Sequence, residues 1–362
     1  MIWRSILCLL VLTSVGLGEE IRQTLSLKET FKPNETLIWS PGFQKCWDEM
    51  RTAYQLDKPT FSVDNPLVDE LNGFEWKYED VVPKGAHFSV LSGTGEEYRK
   101  NVNKLLTRHF GELFVPFPPN YFGMPGTRGL VLLSILNHDL YFNTDLKQNV
   151  APFVFRSGEG VSRAVKSFGT IGADPAVVTG AIKVIAYDES ARRKAIILGG
   201  KDGGEEVVLV VDPSLKSTED VINSVNAWTE IMDRNQTLAR HHNDSSDVVV
   251  IPEINLSSDI DLKPLFPGML DLGNGTLVSI ARAGQRVGLK MNRKGTRMVT
   301  KSYLVPPTYL SGGDSSGGPV VMAQNRKFIF DQPFFLMLRK KGETYPFLFV
   351  KVDQSVLVAK NG

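Results

Sequence analysis

Cysteine is nearly absent: Cys8 and Cys46 are the only two in 362 residues. Cys8 lies in the N-terminal apolar segment, so removing that segment leaves one thiol and no internal disulfide. That excludes the cross-linked scaffold of small secreted domains, and a chain of this size can rest on its core instead. Cys46, between Lys45 and Trp47 beside apolar neighbours, reads as a buried structural thiol. Charge of one sign is missing too, with 41 Lys and Arg against 40 Asp and Glu. Without Arg4 the balance is even, so nothing electrostatic points to nucleic acid or an anionic membrane as partner. No apolar run reaches the ~20 residues of a membrane span, and no repeat or low-complexity tract occurs.

The N-terminus has a definite pattern. Arg4 precedes the apolar run Ile6 to Leu12, and Ser14, Gly16 and Gly18 follow. Charge, short apolar core and small residues are the parts of a secretory signal. Residues 1–18 are therefore expected to be removed before Glu19, leaving one domain, 19–362. The destination is the extracellular space, or the periplasm in a bacterium. Sequons stand at Asn34, Asn235, Asn243, Asn255 and Asn274.

The order of elements is mixed, which points to an α+β fold. Strand patterns cover Glu35–Trp39, His87–Leu91, Leu113–Phe117, Leu130–Leu136, Phe153–Phe155, Ala181–Tyr187, Lys194–Leu198, Val207–Val211 and Val248–Ile254. Later ones cover Thr276–Ile280, Arg286–Met291, Phe334–Arg339 and Tyr345–Val350. Helical spacing marks Phe43–Tyr54, Tyr98–His109 and Ser217 to about Met232, the last with Thr218 as its cap. Residues 55–85 read as irregular. Lys340 to Glu343 forms the turn between the last two strands.

The C-terminal quarter resembles the serpins. Lys290-Met291-Asn292-Arg293-Lys294-Gly295-Thr296 is similar to the strand and hinge that lead into their reactive loop. Phe330-Asp331-Gln332-Pro333-Phe334, with the apolar run ending in Arg339, is similar to the family signature. Pro346 to Val352 is similar to the last strand, and Ser40-Pro41 to the entry of the second helix. The resemblance implies a large central mixed sheet with a smaller second sheet, helices gathered toward the N-terminal half, and a long exposed loop near the C-terminus. It also implies no enzyme, no cofactor or metal, and a monomer whose partner is a serine protease. Two departures stand out. Phe43 occupies the place of a second Ser under the main sheet, and Pro118 to Gly129 is too short for the helix that crosses that sheet.

Serpins inhibit by letting a protease cut the loop, whose freed segment then enters the sheet as a strand. In this chain the hinge is Gly295, Thr296, Arg297, Met298, Val299 and Thr300, within a stretch running to Thr308. Strand side chains alternate, so Thr296, Met298, Thr300 and Ser302 share one face and Arg297, Val299, Lys301 and Tyr303 the other. Both charges then face water. Bulk at Met298 and Val299 is expected to impede insertion, and Pro306-Pro307 to stop it near Val305 after ~33 Å. The expected scissile bond is Tyr309-Leu310, suited to a chymotrypsin-like pocket. Two readings remain open: a suicide inhibitor, or a serpin-fold binding protein without insertion.

Other motifs are weaker. Gly313-Asp314-Ser315-Ser316-Gly317-Gly318-Pro319 is similar to the nucleophile motif of trypsin-like proteases with one Ser too many. The extra residue spoils an oxyanion hole, no histidine has the matching context, and a flexible Gly/Ser insert is the simpler account. His241-His242 with Asp244 lacks a second ligand group for a metal. Gly199 to Gly204 lacks the order of a phosphate loop and reads as a hairpin turn, and His138-Asp139 reads as a strand exit.

Overall fold

Glu205–Val211 reads Glu-Glu-Val-Val-Leu-Val-Val, apolar on both faces, and such a strand must be covered on both sides. It lies inside a seven-stranded sheet ordered Glu20–Thr24, Glu35–Trp39, Leu348–Val352, Phe334–Lys340, Glu205–Val211, Arg193–Gly199, Ile182–Asp188. The computed structural model describes residues 20–360 except 75, 85–86, 92–94, 111–118, 120–131, 150, 180, 235–242, 244–245, 272–276, 279–281 and 306–325. The first two strands pair in parallel and the remaining pairs of this sheet are antiparallel.

One face of this sheet packs on the helix Thr218–Arg234. Val221, Ile222, Val225 and Trp228 recur at helical spacing and meet Ala195, Ile197, Val208 and Val210 of the strands. The helix is capped by Ser217, not Thr218. Ser217 Oγ accepts from the Asp220 N–H at 3.1 Å, and Asp220 Oδ2 accepts from the Ser217 N–H at 2.9 Å. This reciprocal pair satisfies the end of the helix one residue earlier than expected.

The other face packs on a five-stranded sheet, ordered Ile254–Asp261, Arg282–Asn292, Gly295–Val305, Leu132–Tyr141, His87–Leu91. Every neighbouring pair in it is antiparallel. Between the two sheets lies one core, where Leu136, Leu140, Val287, Leu289 and Met291 meet Ile38, Val184, Leu198, Val207, Leu336 and Val350. Toward Val305 the five-stranded sheet rests instead on the helix Gly42–Tyr54, whose Phe43, Trp47 and Met50 pack with Phe266 and Ala283. A smaller four-stranded sheet is ordered Lys327–Ile329, Val248–Pro252, Ser167–Gly169, Lys147–Gln148.

Three sequence expectations need correction. Residues 55–85 are not irregular throughout: Pro66–Gly73 and Tyr78–Val81 are helical, the first started by Asn65, whose side chain accepts from the Leu67 N–H, and by Pro66. Val248–Ile254 is not one strand. It breaks at Glu253, after Pro252, which has no N–H to extend a ladder, and its two parts join different sheets. The stretch after Gly295 is a strand already in place, not a free loop. The expected strand Leu113–Phe117, the link Pro118 to Gly129 and the signal segment lie outside the described residues. Among those residues no helix is long and apolar enough to cross a membrane.

The N-terminal pair of strands is fixed by a buried carboxylate. Glu35 accepts from Arg22 at 2.7 and 3.0 Å and from the Lys32 N–H at 2.7 Å. Burial pushes the Glu35 pKa up, but the Arg22 bond and the Lys32 N–H outweigh it and hold the carboxyl below its usual range. A depressed carboxylate contributes stability above its unfolded pKa and loses it as pH falls through the folded value. Glu35→Gln is therefore expected to flatten the fall of melting midpoint with pH below about 4.5, seen in thermal scans from neutral to acid pH.

Candidate functional site

The site is the strand Gly295–Val305 and the groups that receive it. Its register runs Gly295 to Asn292 through Val305 to Arg282 on one side, and Gly295 to Tyr141 through Leu304 to Leu132 on the other. Both edges are paired, although the chain from Gly295 onward is unbroken. The strand is entered through a two-residue turn, Arg293-Lys294, in which Asn292 Oδ1 accepts from the Lys294 N–H at 2.9 Å. Gly295 has φ +149°, and a Cβ there would stand 2.0 Å from the Leu140 carbonyl oxygen. No other residue fits this close approach without moving the neighbouring strand.

Thr296, Met298, Thr300 and Ser302 point inward and are buried. Arg297 is exposed on the outer face opposite Asp139, with Nε 3.5 Å from Oδ1. Such an exposed pair contributes little, about 0–1 kcal/mol. Met298 is fully buried in the core between the sheets, and Val299 lies half-buried on the outer face. Bulk at these two positions thus does not keep the strand out. Met298 finds a ready pocket, and burying such a side chain is worth roughly 1.5–3 kcal/mol. The cost falls elsewhere: the hydroxyls of Thr296 and Thr300 are buried without a hydrogen-bond partner.

Ser302 is better served. Its Oγ donates to Gln285 Oε1 at 2.7 Å, Gln285 Nε2 donates to Gln23 Oε1 at 3.0 Å, and Gln23 Nε2 donates to Ser258 Oγ at 2.9 Å. The Ser302 carbonyl accepts from the Cys46 thiol at 3.6 Å. Gly42, the first residue of the helix beneath, makes room: a Cβ there would come 2.5 Å from Ser302 Oγ. Phe43 does not face this contact. It stacks on Phe266 at 5.5 Å, deeper under the sheet.

Beyond the strand, Tyr309 and Leu310 lie outside the described residues, as do the Gly313 to Pro319 motif, His241 and His242. The chain is described again at Arg326, where it is clamped. Arg326 and Asp247 are both fully buried; Nη2 donates to Oδ2 at 2.6 Å and the Arg326 N–H to Oδ1 at 3.0 Å. The next strand, Lys327–Ile329, runs parallel to Val248–Pro252. Lys194 Nζ donates to the Ile329 carbonyl at 2.7 Å, and burial pushes the Lys194 pKa down.

The signature residues are structural here. Phe334 is fully buried and meets Phe330 edge-on at 5.3 Å, Pro333 is half-buried, and the Asp331 carbonyl accepts from the Arg156 N–H at 2.8 Å. Ser40 is buried and Pro41 is the cap of the helix Gly42–Tyr54. Gln285, Gln23, Ser258 and the Arg326–Asp247 pair escaped the sequence reading. Gln285 left one trace, a polar residue two places before Val287 on the inward face; nothing in the sequence marks the ion pair. Among the described residues no group of three or more metal-ligating side chains occurs.

No protein-family model matches the sequence, and no curated protein does. Solved structures do. The chain is similar to cleaved serpin 42Da, with 13% identity and a TM-score of 0.56, covering 89% of this chain and 92% of that one. It is also similar to a loop-inserted, cleaved ovalbumin mutant, at 14% identity and TM-score 0.49, spanning 71% of this chain and 63% of ovalbumin's length. A third is the myxomaviral inhibitor SERP-1, at 13% identity and TM-score 0.45, with 73% and 92% covered. The fold is the serpin fold. This chain is a divergent example of it.

Two substitutions separate the buried hydroxyls. Ser302→Ala leaves Gln285 Oε1 buried and unpaired and is expected to cost ~1–3 kcal/mol in urea unfolding, whereas Thr300→Val, which removes a hydroxyl without a partner, should be neutral or stabilising. Asp247→Asn strands the buried Arg326 charge and should cost about 3–5 kcal/mol in the same measurement.

Proposed function

We propose that this chain is a secreted serpin-fold protein that has lost suicide inhibition and acts as a binding protein. One observation carries the reading: Gly295–Val305 is paired on both edges while the chain is uncut. Suicide inhibition needs that place vacant until a protease cuts the loop, because the work is done by filling it. A strand already there has no insertion left to perform. The six hinge residues from Gly295 to Thr300 are then permanent members of the sheet. Tyr309-Leu310 is a bond that a chymotrypsin-like protease can cut without being trapped.

The chain length supports this. Arg293, before the strand, and Ile329, in the strand after the loop, line the same cavity, so the return path is about the length of the inserted strand. That length is ~33 Å, while the twenty residues 306–325 reach about 66 Å at ~3.3 Å each. The strand and the Arg326 clamp therefore coexist without a cut. The inhibitor reading keeps one observation in its favour, since the unpaired hydroxyls of Thr296 and Thr300 make the strand a less than ideal occupant.

Thermal unfolding before and after chymotrypsin cleavage between residues 306 and 325, with the cut verified by mass spectrometry, separates the two. The expected result is a midpoint unchanged within about 2 °C and no detergent-resistant protease complex. Amides from Thr296 to Val305 should also exchange slowly with solvent in the uncut protein. A rise of more than about 10 °C on cutting, with a covalent complex, would restore the inhibitor.

A further inference from the structure

A cavity of about 880 Å³ opens between the turn that enters the inserted strand and the four-stranded sheet. Its size lies within the range of small-molecule sites, roughly 300–1,000 Å³. Phe153, Ile171, Val250 and Ile329 give it apolar walls, and Lys147 and Arg293 supply its charge. No Asp or Glu lines it among the described residues. The nearby carboxylate is Asp145, which pairs with Lys147 and whose pKa is held down first by that bond and only lastly by Arg293. Lys147 thus pairs with Asp145, whereas Arg293 makes no ion pair among the described residues. Ile171 is 54% exposed at the mouth. The cavity near Arg22 is different, because it brings its own acidic groups, Glu29, Glu70 and Asp261.

We propose that this cavity binds an apolar monoanion, an aliphatic or aromatic carboxylate or sulfonate, with its acidic group on Arg293 and its body against Phe153, Ile171, Val250 and Ile329. Apolar walls favour the body through burial, and a cation in partly desolvated surroundings favours an acidic end over a neutral one. The site deepens the binding-protein reading and rests on it, because Arg293 belongs to the turn that leads into the seated strand.

Anilinonaphthalene sulfonate is a suitable probe, with neutral N-phenylnaphthylamine as its uncharged counterpart, titrated by fluorescence into the uncut mature protein. One saturable site for the sulfonate is expected. Arg293→Gln should weaken it about tenfold or more, the loss of one charge-assisted contact, while changing the neutral probe little. Ile171→Glu, at an exposed position that the fold does not depend on, should weaken the sulfonate more than the neutral probe. Unsaturable binding, or sulfonate affinity indifferent to both substitutions, overturns the site. That failure would leave the cleavage result standing, whereas a covalent protease complex would overturn the binding-protein reading and, with the strand unseated in the uncut protein, the Arg293 wall of this cavity as well.

Discussion

The structure depends on one strand lying between two that run the same way. Arg282–Asn292 and Leu132–Tyr141 are each antiparallel to Gly295–Val305, so they are parallel to one another. Side by side they would form a parallel pair, slightly weaker per residue than two antiparallel ones. With the strand between them, the five-stranded sheet is antiparallel throughout and both inner edges are hydrogen-bonded. The details around it follow from that placement. Gly295 lets the backbone pass the Leu140 carbonyl, Gly42 leaves space for Ser302, and Met298 completes the core shared with the seven-stranded sheet.

Polar groups under this strand are treated unequally, and the difference has an energetic sense. Ser302 joins a hydrogen-bonded series, so its burial costs little; Thr296 and Thr300 bury hydroxyls that give and receive nothing. The Arg326–Asp247 pair is a third case, two full charges withdrawn from water and compensated by close contacts with each other and with backbone. Such a pair adds little net stability against an apolar substitute, but it fixes geometry, because either charge alone would be intolerable there. Its place at the far end of the loop makes it a positional anchor for Lys327–Ile329.

Much of this was legible from residues 290–352. Alternation from Gly295 identified Thr296, Met298, Thr300 and Ser302 as the inward set, and Pro306-Pro307 marked where the strand ends. What alternation cannot reveal is whether a strand is waiting or seated, since the same pattern serves both states and the difference lies in distant partners at Leu132–Tyr141. The bulk of Met298 misleads for a related reason: side-chain size is local, whereas the hollow that accepts it is built by strands from distant parts of the chain. The helices of residues 66–81 were hidden by their brevity, although Asn65-Pro66 carried a cap and a first-turn proline in plain view.

Gln23, Ser258, Gln285 and Ser302 come from four strands, the first of them more than 200 residues from the rest, yet each amide or hydroxyl is positioned by the next. An apolar residue at 302 would orphan Gln285 Oε1, and an apolar residue at 285 would orphan Gln23 Oε1 and the Ser302 hydroxyl. These sites are bound into one inheritance. Drift at any of them is tolerable only in company, so the history of the inserted strand should be written jointly at positions of the N-terminal strand and the outermost strand of the sheet.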